Sequence, residues 1–180
     1  TGDAFTWTAV ISAHLMCNRP TLGLALYARM QQVGIEPNAY TFNVVLQACS
    51  TPSNNSSDNN GNLVYFHIVE QGLNLDVFLC NTLINMYVKC GSVLDARNIF
   101  DTLLNPSIVA WSSMISGYSH AGDGEEAICL FKLMFDRGPN PNLVTLLGLL
   151  KACNNKQFSE YGRCVHFLVI ATSGFGSELA

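Results

Sequence analysis

Four histidines and seven cysteines are the side chains of this 180-residue chain best suited to acid–base, nucleophilic or metal chemistry. Their spacing supports none of the three. His14, His67, His120 and His166 have no second His or Cys at metal-ligand separation, and none stands in a nucleophile motif. Cys164 and His166 come closest, but two residues apart on a helix they do not face one another. The cysteines, at 17, 49, 80, 90, 129, 153 and 164, are odd in number and include no C-x-x-C pair, so neither a disulfide framework nor a zinc ribbon fits. Most lie in apolar stretches such as Leu-Gln-Ala-Cys49 and Leu-Lys-Ala-Cys153, the setting of buried thiols in a reducing compartment. Asp123, Glu125 and Glu126 cluster at the start of a helical pattern, where negative charge complements the helix dipole. No glycine-rich loop is shaped to cradle a phosphate. These residues predict a chain that is not an enzyme and needs no cofactor or metal.

Binding is the remaining chemistry, and composition bounds it. Nine Lys and Arg stand against 13 Asp and Glu, for a net charge of −4. Strong sequence-independent binding of nucleic acid, which rests on neutralising phosphates, is disfavoured, while a reader of bases is not. Apolar residues make up 49% and charged residues 12%, which excludes a disordered chain and a coiled coil rich in Glu and Lys. No apolar run reaches the roughly 18–20 residues of a membrane helix, so no membrane partner is expected. The opening Thr1-Gly2-Asp3 reads as a piece of a longer chain, so the lack of a leader says nothing of the parent.

What positions these residues is a repeat. Trp7-Thr-Ala-Val-Ile11-Ser12 recurs as Trp111-Ser-Ser-Met-Ile115-Ser116, 104 residues on. The same offset carries Met30 to Met134, Gly34 to Gly138, Pro37-Asn38 to Pro141-Asn142, Thr41 to Thr145 and Ala48-Cys49 to Ala152-Cys153. That period is too long for one supersecondary unit, and turn punctuation at Gly34, Gly72, Asn105-Pro106, Gly138 and Gly174 divides it. The units 4–38, 39–76, 77–107, 108–142 and 143–178 are 35, 38, 31, 35 and 36 residues long. Each holds two helical patterns. In the first unit Phe5, Trp7, Val10, Ile11, His14 and Leu15 keep 3-to-4 spacing, and Leu22, Leu26, Tyr27 and Met30 make a second stripe. Pro20 opens a second helix, Gly91-Ser92 separates Phe78–Lys89 from Val93–Leu104, and Gly122-Asp123-Gly124 does the same in the fourth unit. Trp7 and Trp111 read as hairpin core. Ser50–Asn62, rich in Asn and Ser, reads as a mobile surface loop. Five hairpins that cannot bury their apolar faces alone predict an all-α, right-handed α-solenoid.

Within this frame a family resemblance stands out. Asn81-Thr-Leu-Ile-Asn-Met-Tyr87-Val-Lys-Cys-Gly91-Ser-Val-Leu-Asp-Ala96-Arg-Asn-Ile-Phe100 resembles the short (S) motif of plant pentatricopeptide repeat proteins. Trp111 through Gly117-Tyr118 and Ala127 to Met134 resembles their P-type motif, and Val45-Leu-Gln-Ala-Cys49 and Leu149-Leu-Lys-Ala-Cys153 the long (L) motif. In order, the units read P, L, S, P, L, with 1–3 the tail of a preceding repeat and 179–180 the start of another. The spacing of the tetratricopeptide repeat is missing.

The resemblance implies sequence-specific binding of single-stranded RNA in plant mitochondria or chloroplasts, one base per repeat. It implies that the fifth residue of a repeat faces the base edge, that the last supports it, and that the second sandwiches bases. In the first repeat these are Thr8, Asn38 and Phe5, an adenine pair. In the second they are Asn43, Asp76 and Tyr40, a uracil-type pair. The third has Asn81, Ser107 and Phe78, implying cytosine, and the fourth Ser112, Asn142 and Val109, implying adenine. The fifth has Leu147, Glu178 and Val144; Leu147 cannot hydrogen-bond a base, so this repeat departs from the code. The implied core is 5′-A-U-C-A-3′. Lys89 and His120 occupy the thirteenth place, where the family often carries a Lys, and are the expected phosphate contacts; Met16, Thr51 and Asn155 fill it elsewhere. The P-L-S order resembles the class that directs C-to-U editing, whose deaminase carries a H-x-E…C-x-x-C signature that this chain lacks. L repeats of that class also engage small editing-factor proteins, which makes the second and fifth repeats candidates for that partner.

Read as residues alone, the sandwich positions fit helix packing better than base contact, and Asn38 and Asn142 serve as turn residues after Pro. A protein-interaction scaffold without RNA contact is therefore the alternative, favoured by the acidic balance and Leu147 and opposed by the polar pairs.

Overall fold

The computed structural model describes residues 2–51, 60–73 and 75–153. Every regular element among them is a helix: α1 (Ala4–Met16), α2 (Pro20–Gln32), α3 (Ala39–Cys49), α4 (Asn60–Glu70), α5 (Val77–Lys89), α6 (Val93–Asp101), α7 (Ile108–Ala121), α8 (Gly124–Arg137) and α9 (Leu143–Ala152). Among the described residues none is long and apolar enough to cross a membrane.

Short polar side chains set the helix starts. Asp3, Asn38, Asp76, Ser107, Asp123 and Asn142 each accept the backbone N–H three residues on, satisfying a donor the helix cannot. Pro20 opens α2 at a place where its missing N–H costs nothing. Ser92 holds the N-cap place of α6 but makes no capping bond, with ψ at 64°. Asp123, at a similar ψ of 76°, still reaches Glu126 N at 3.2 Å because its carboxylate is longer by an atom. Gly122 closes α7 at φ 83°, a left-handed conformation that a Cβ would strain.

The predicted loop over Ser50–Asn62 is shorter than its composition implied. Asn60, Gly61 and Asn62 begin α4, and residues 52–59 lie outside the described residues. Gly61 is buried against α5; a Cβ there would stand 2.5 Å from Met86 Sδ. A glycine that reads as loop punctuation serves a close helix approach instead, which composition cannot distinguish.

The helices form two compact units, one ending at Cys90 and the other starting at Gly91. In the first, α1 packs on α2 and α3, α2 on α3, and α3 on α4 and α5. Ile11, Met30, Phe42, Leu46, Ile68 and Leu83 are fully or almost fully buried there. In the second, α7 packs on α6, α8 and α9, burying Met114, Ile115, Leu130 and Met134. Trp111 joins that core, its ring edge-on to Phe100 with centroids 4.7 Å apart. Trp7 is only half-buried.

The thiols divide rather than all being buried. Cys80 and Cys153 are buried and Cys49 is partly so, but Cys17, Cys90 and Cys129 are exposed. Burial, and next the neighbouring Cys90, pushes the Cys49 thiol up to about 12. Cys164 and His166 lie outside the described residues.

Candidate functional site

Phe5, Tyr40, Phe78, Val109 and Val144 are each the second residue of a helix: α1, α3, α5, α7 and α9. All five are solvent-exposed, from 53% for Val109 to 74% for Phe5. The same helices bury their opposite sides, so packing does not demand large apolar side chains here. A single exposed apolar residue is ordinary, but the same place filled five times is a feature of the repeat.

Beside them the structure joins residues far apart in sequence. Asn38 caps α3: its Oδ1 accepts from Thr41 N at 2.9 Å and from Thr41 Oγ1 at 3.0 Å. Thr41 Oγ1 also lies 2.7 Å from Thr8 Oγ1 in α1, a contact in which either hydroxyl can donate. Thr8, 1% exposed, sits 2.7 Å from Ala4 O as well. The second unit repeats this arrangement. Asn142 Oδ1 accepts from Thr145 N and Thr145 Oγ1, both at 2.9 Å, and Thr145 Oγ1 lies 2.7 Å from Ser112 Oγ in α7. Both expected pairs, Thr8 with Asn38 and Ser112 with Asn142, are thus brought together through one hydroxyl that the sequence reading passed over. Its signal was present: Asn-x-x-Thr at 38–41 and 142–145 is the spacing of a capping box, and the structure forms both boxes.

The expected base-facing side chains are the less accessible half of each pair. Thr8 and Ser112 are buried, whereas Asn38 and Asn142 are exposed. In each pair the amide is the outer group and the hydroxyl the inner one.

The remaining positions differ. Asn43 is 5% exposed; its Nδ2 donates to Ala39 O at 3.0 Å and its Oδ1 has no partner among the described residues. Leu79 stands at the third helical place of α5, where α3 and α9 have threonine, so no hydroxyl is available from that place. Asp76 caps α5, with Oδ1 2.7 Å from Leu79 N. Asn81 is half-buried in α5, and Ser107 caps α7 with Oγ 3.2 Å from Ala110 N. Leu147 is 48% exposed, and Glu178 lies outside the described residues.

Lys89 ends α5, exposed. His120, near the end of α7, has Nδ1 2.6 Å from Ser116 O and Nε2 3.4 Å from Lys151 Nζ. A carbonyl can only accept, so Nδ1 carries the proton and Nε2 is left to accept from the ammonium. Lys151, another residue the sequence reading missed, brings a positive charge beside the ring. The first turns of α1, α3, α5, α7 and α9 add partial positive charge next to the exposed apolar positions. Among the described residues no group of three or more His, Cys, Asp or Glu converges on a metal site. His67 is held between α2 and α4 by Tyr27 Oη at 2.7 Å, with Gln31 and Gln71 also in reach.

A family model for the PPR repeat family matches residues 2–51 and 106–155, and a PPR repeat model matches residues 78–105. A mitochondrial pentatricopeptide repeat-containing protein of Arabidopsis thaliana is 33% identical over 174 residues, covering 97% of this chain and 19% of its own length. A chloroplastic one from the same plant is 34% identical over 166 residues, 92% of this chain and 30% of its own. The chain therefore spans less than a third of these relatives. Among solved structures, PPR10 in complex with an 18-nt psaJ RNA element superimposes with a TM-score of 0.78 at 24% identity, over 96% of this chain and 25% of that one. PPR10 from maize gives 0.70 at 21%, over 97% of this chain and 25% of that one. The PPR domain of Arabidopsis thaliana protein-only RNase P 1, in complex with tRNA, gives 0.71 at 14%, over 92% of this chain and 88% of that one. These likenesses give the fold class, an α-solenoid of helical hairpins.

Proposed function

The chain belongs to the PPR repeat family, and on that premise we propose that it binds single-stranded RNA through the first turns of α1, α3, α5, α7 and α9. The observation that carries this reading is the exposure of Phe5, Tyr40 and Phe78 in the first unit and of Val109 and Val144 in the second, each the second residue of its helix and close to a capping side chain able to meet a base edge. Apolar and aromatic faces stack on any base, while hydrogen bonds discriminate among them. Two structural neighbours were solved with RNA, which supports the same reading.

In this reading the repeats run P, L, S, P, L over 4–38, 39–76, 77–107, 108–142 and 143–178, and each of the first four addresses one base. Thr8 with Asn38 takes adenine, Asn43 with Asp76 uracil, Asn81 with Ser107 cytosine, and Ser112 with Asn142 adenine. Lys89 and the His120–Lys151 pair meet phosphates. The parent protein works in a plant mitochondrion or chloroplast, as the names of its relatives do, and gives site specificity to C-to-U editing or other transcript processing. The exposed Leu147 favours a protein-facing fifth repeat, with an editing-factor protein as its partner; a scaffold wholly without RNA contact is the competing reading.

Fluorescence anisotropy at low salt, with a short RNA containing A-U-C-A, tests the proposal. Tighter binding to this RNA than to one with the first A changed to G is expected. The double variant Thr8→Asn with Asn38→Asp is expected to turn the preference at that base toward uracil. Equal binding to every RNA would overturn the base assignments, and no binding to any RNA, with flanking repeats restored, would leave the scaffold reading standing.

A further inference from the structure

We propose that Thr41 and Thr145 are positioning residues, each completing the reading pair of the repeat before it. This rests on the RNA-binding reading above. Each threonine belongs by sequence to one repeat and by hydrogen bonding to the previous one: Thr41 Oγ1 bridges Thr8 in α1 and Asn38 at the cap of α3, and Thr145 Oγ1 bridges Ser112 in α7 and Asn142 at the cap of α9.

The bridge fixes which end of the amide faces outward. The backbone N–H groups of Thr41 and Thr145 can only donate, so the atom they meet at 2.9 Å is the amide oxygen, not the nitrogen. The threonine hydroxyl takes the oxygen's second acceptor site. No hydrogen bond from either Nδ2 is seen among the described residues, so both donors of the NH2 group remain for a ligand. A base is then offered donors only, which suits an acceptor nitrogen on its pairing edge, as in adenine or cytosine, and repels the ring N–H of uracil or guanine.

Thr8 and Thr41 have two protons for three contacts, to Ala4 O, to one another and to Asn38 Oδ1. Each hydroxyl has one proton, so Thr8 and Asn38 are set together rather than independently. The two units build this bridge with different first members, Thr8 and Ser112, and retain threonine at its centre. Where Leu79 takes the corresponding place, the buried Asn43 Oδ1 is left without a partner. The second reading site therefore lacks this positioning contact.

The test measures base preference at two positions in one molecule. Anisotropy would compare A with G at the first base and, separately, at the fourth, for the wild-type chain and for Thr41→Val, Thr145→Val and Thr41→Ser, with thermal unfolding of each. Thr41→Val is expected to lower the first-base preference about fivefold and leave the fourth unchanged, Thr145→Val to do the converse, and Thr41→Ser to restore the wild-type ratio. Loss of both preferences together, or retention of the first in Thr41→Val, would reduce these threonines to helix caps and overturn the proposal. A wild-type chain with no base preference would instead overturn the RNA reading itself, and this inference with it.

Discussion

Tyr40 and Phe5 illustrate how a residue's job is read from what packing does not need. Both are large, apolar and more than half exposed, and both sit on helices whose other sides are well buried. Truncating such a side chain removes little from the core. Tyr40→Ala and Phe5→Ala are therefore expected to shift the unfolding midpoint by only a degree or two, since surface changes lie within about 0.5 kcal/mol. If the stacking role holds, each lowers RNA affinity by roughly tenfold, in keeping with about 1–3 kcal/mol per stacked base. Anisotropy and thermal melts on the same samples check both halves; a large fall in midpoint would place these rings in the core instead. At this scale sequence was an uneven guide. It picked out both members of the pairs Thr8 with Asn38 and Ser112 with Asn142, but not the threonine that joins them. Thr41 and Thr145 follow the N-cap by three residues, and capping alone is a sufficient explanation for that spacing until the second contact, 33 residues away, is seen.

At the scale of the element, caps and glycines decide where each helix stops and the next begins. The turn at Gly122-Asp123 is the tightest case, with Gly122 at φ 83° and Asp123 capping α8 directly after it. Nothing stands within 4 Å of a Cβ built on Gly122, so the cost of a side chain there is conformational and not steric crowding. Gly122→Ala is expected to destabilise the chain by about 1 kcal/mol, read as a lower midpoint in thermal or urea unfolding. An unchanged midpoint would show that the turn relaxes without loss. The helical hairpins were legible because punctuation of this kind is local. The start of α4 was not, since an Asn- and Gly-rich segment reads as loop whether or not a neighbour such as Met86 needs a small residue to pack against.

For the whole molecule the balance of charge governs how RNA would be held. With a net charge of −4 and only nine Lys and Arg, phosphate neutralisation would contribute little. The affinity is expected to fall with salt on a log–log slope of about −2 or shallower, as for two or three phosphate contacts on a single strand. Titrating the chain with the A-U-C-A RNA across a range of salt concentrations checks this; a steep slope would point to a basic path that none of Lys89, His120 and Lys151 accounts for. Lys151→Ala is the matching variant, since it removes the ammonium that stands 3.4 Å from His120 Nε2.

The amino-acid sequence by itself determined the repeat, the helical class and the places where capping side chains recur, because these depend on periodicity, turn residues and caps, all set within a few positions along the chain. The tertiary structure alone decided which polar groups meet. Whether Thr8 shares a proton with Thr41, whether Asn43 finds a partner for its oxygen, and whether Lys151 stands beside His120 depend on how one helix lies against the next. Hydrogen bonds need their atoms placed to within a few tenths of an ångström, and only the packing of the buried helix faces fixes positions that closely.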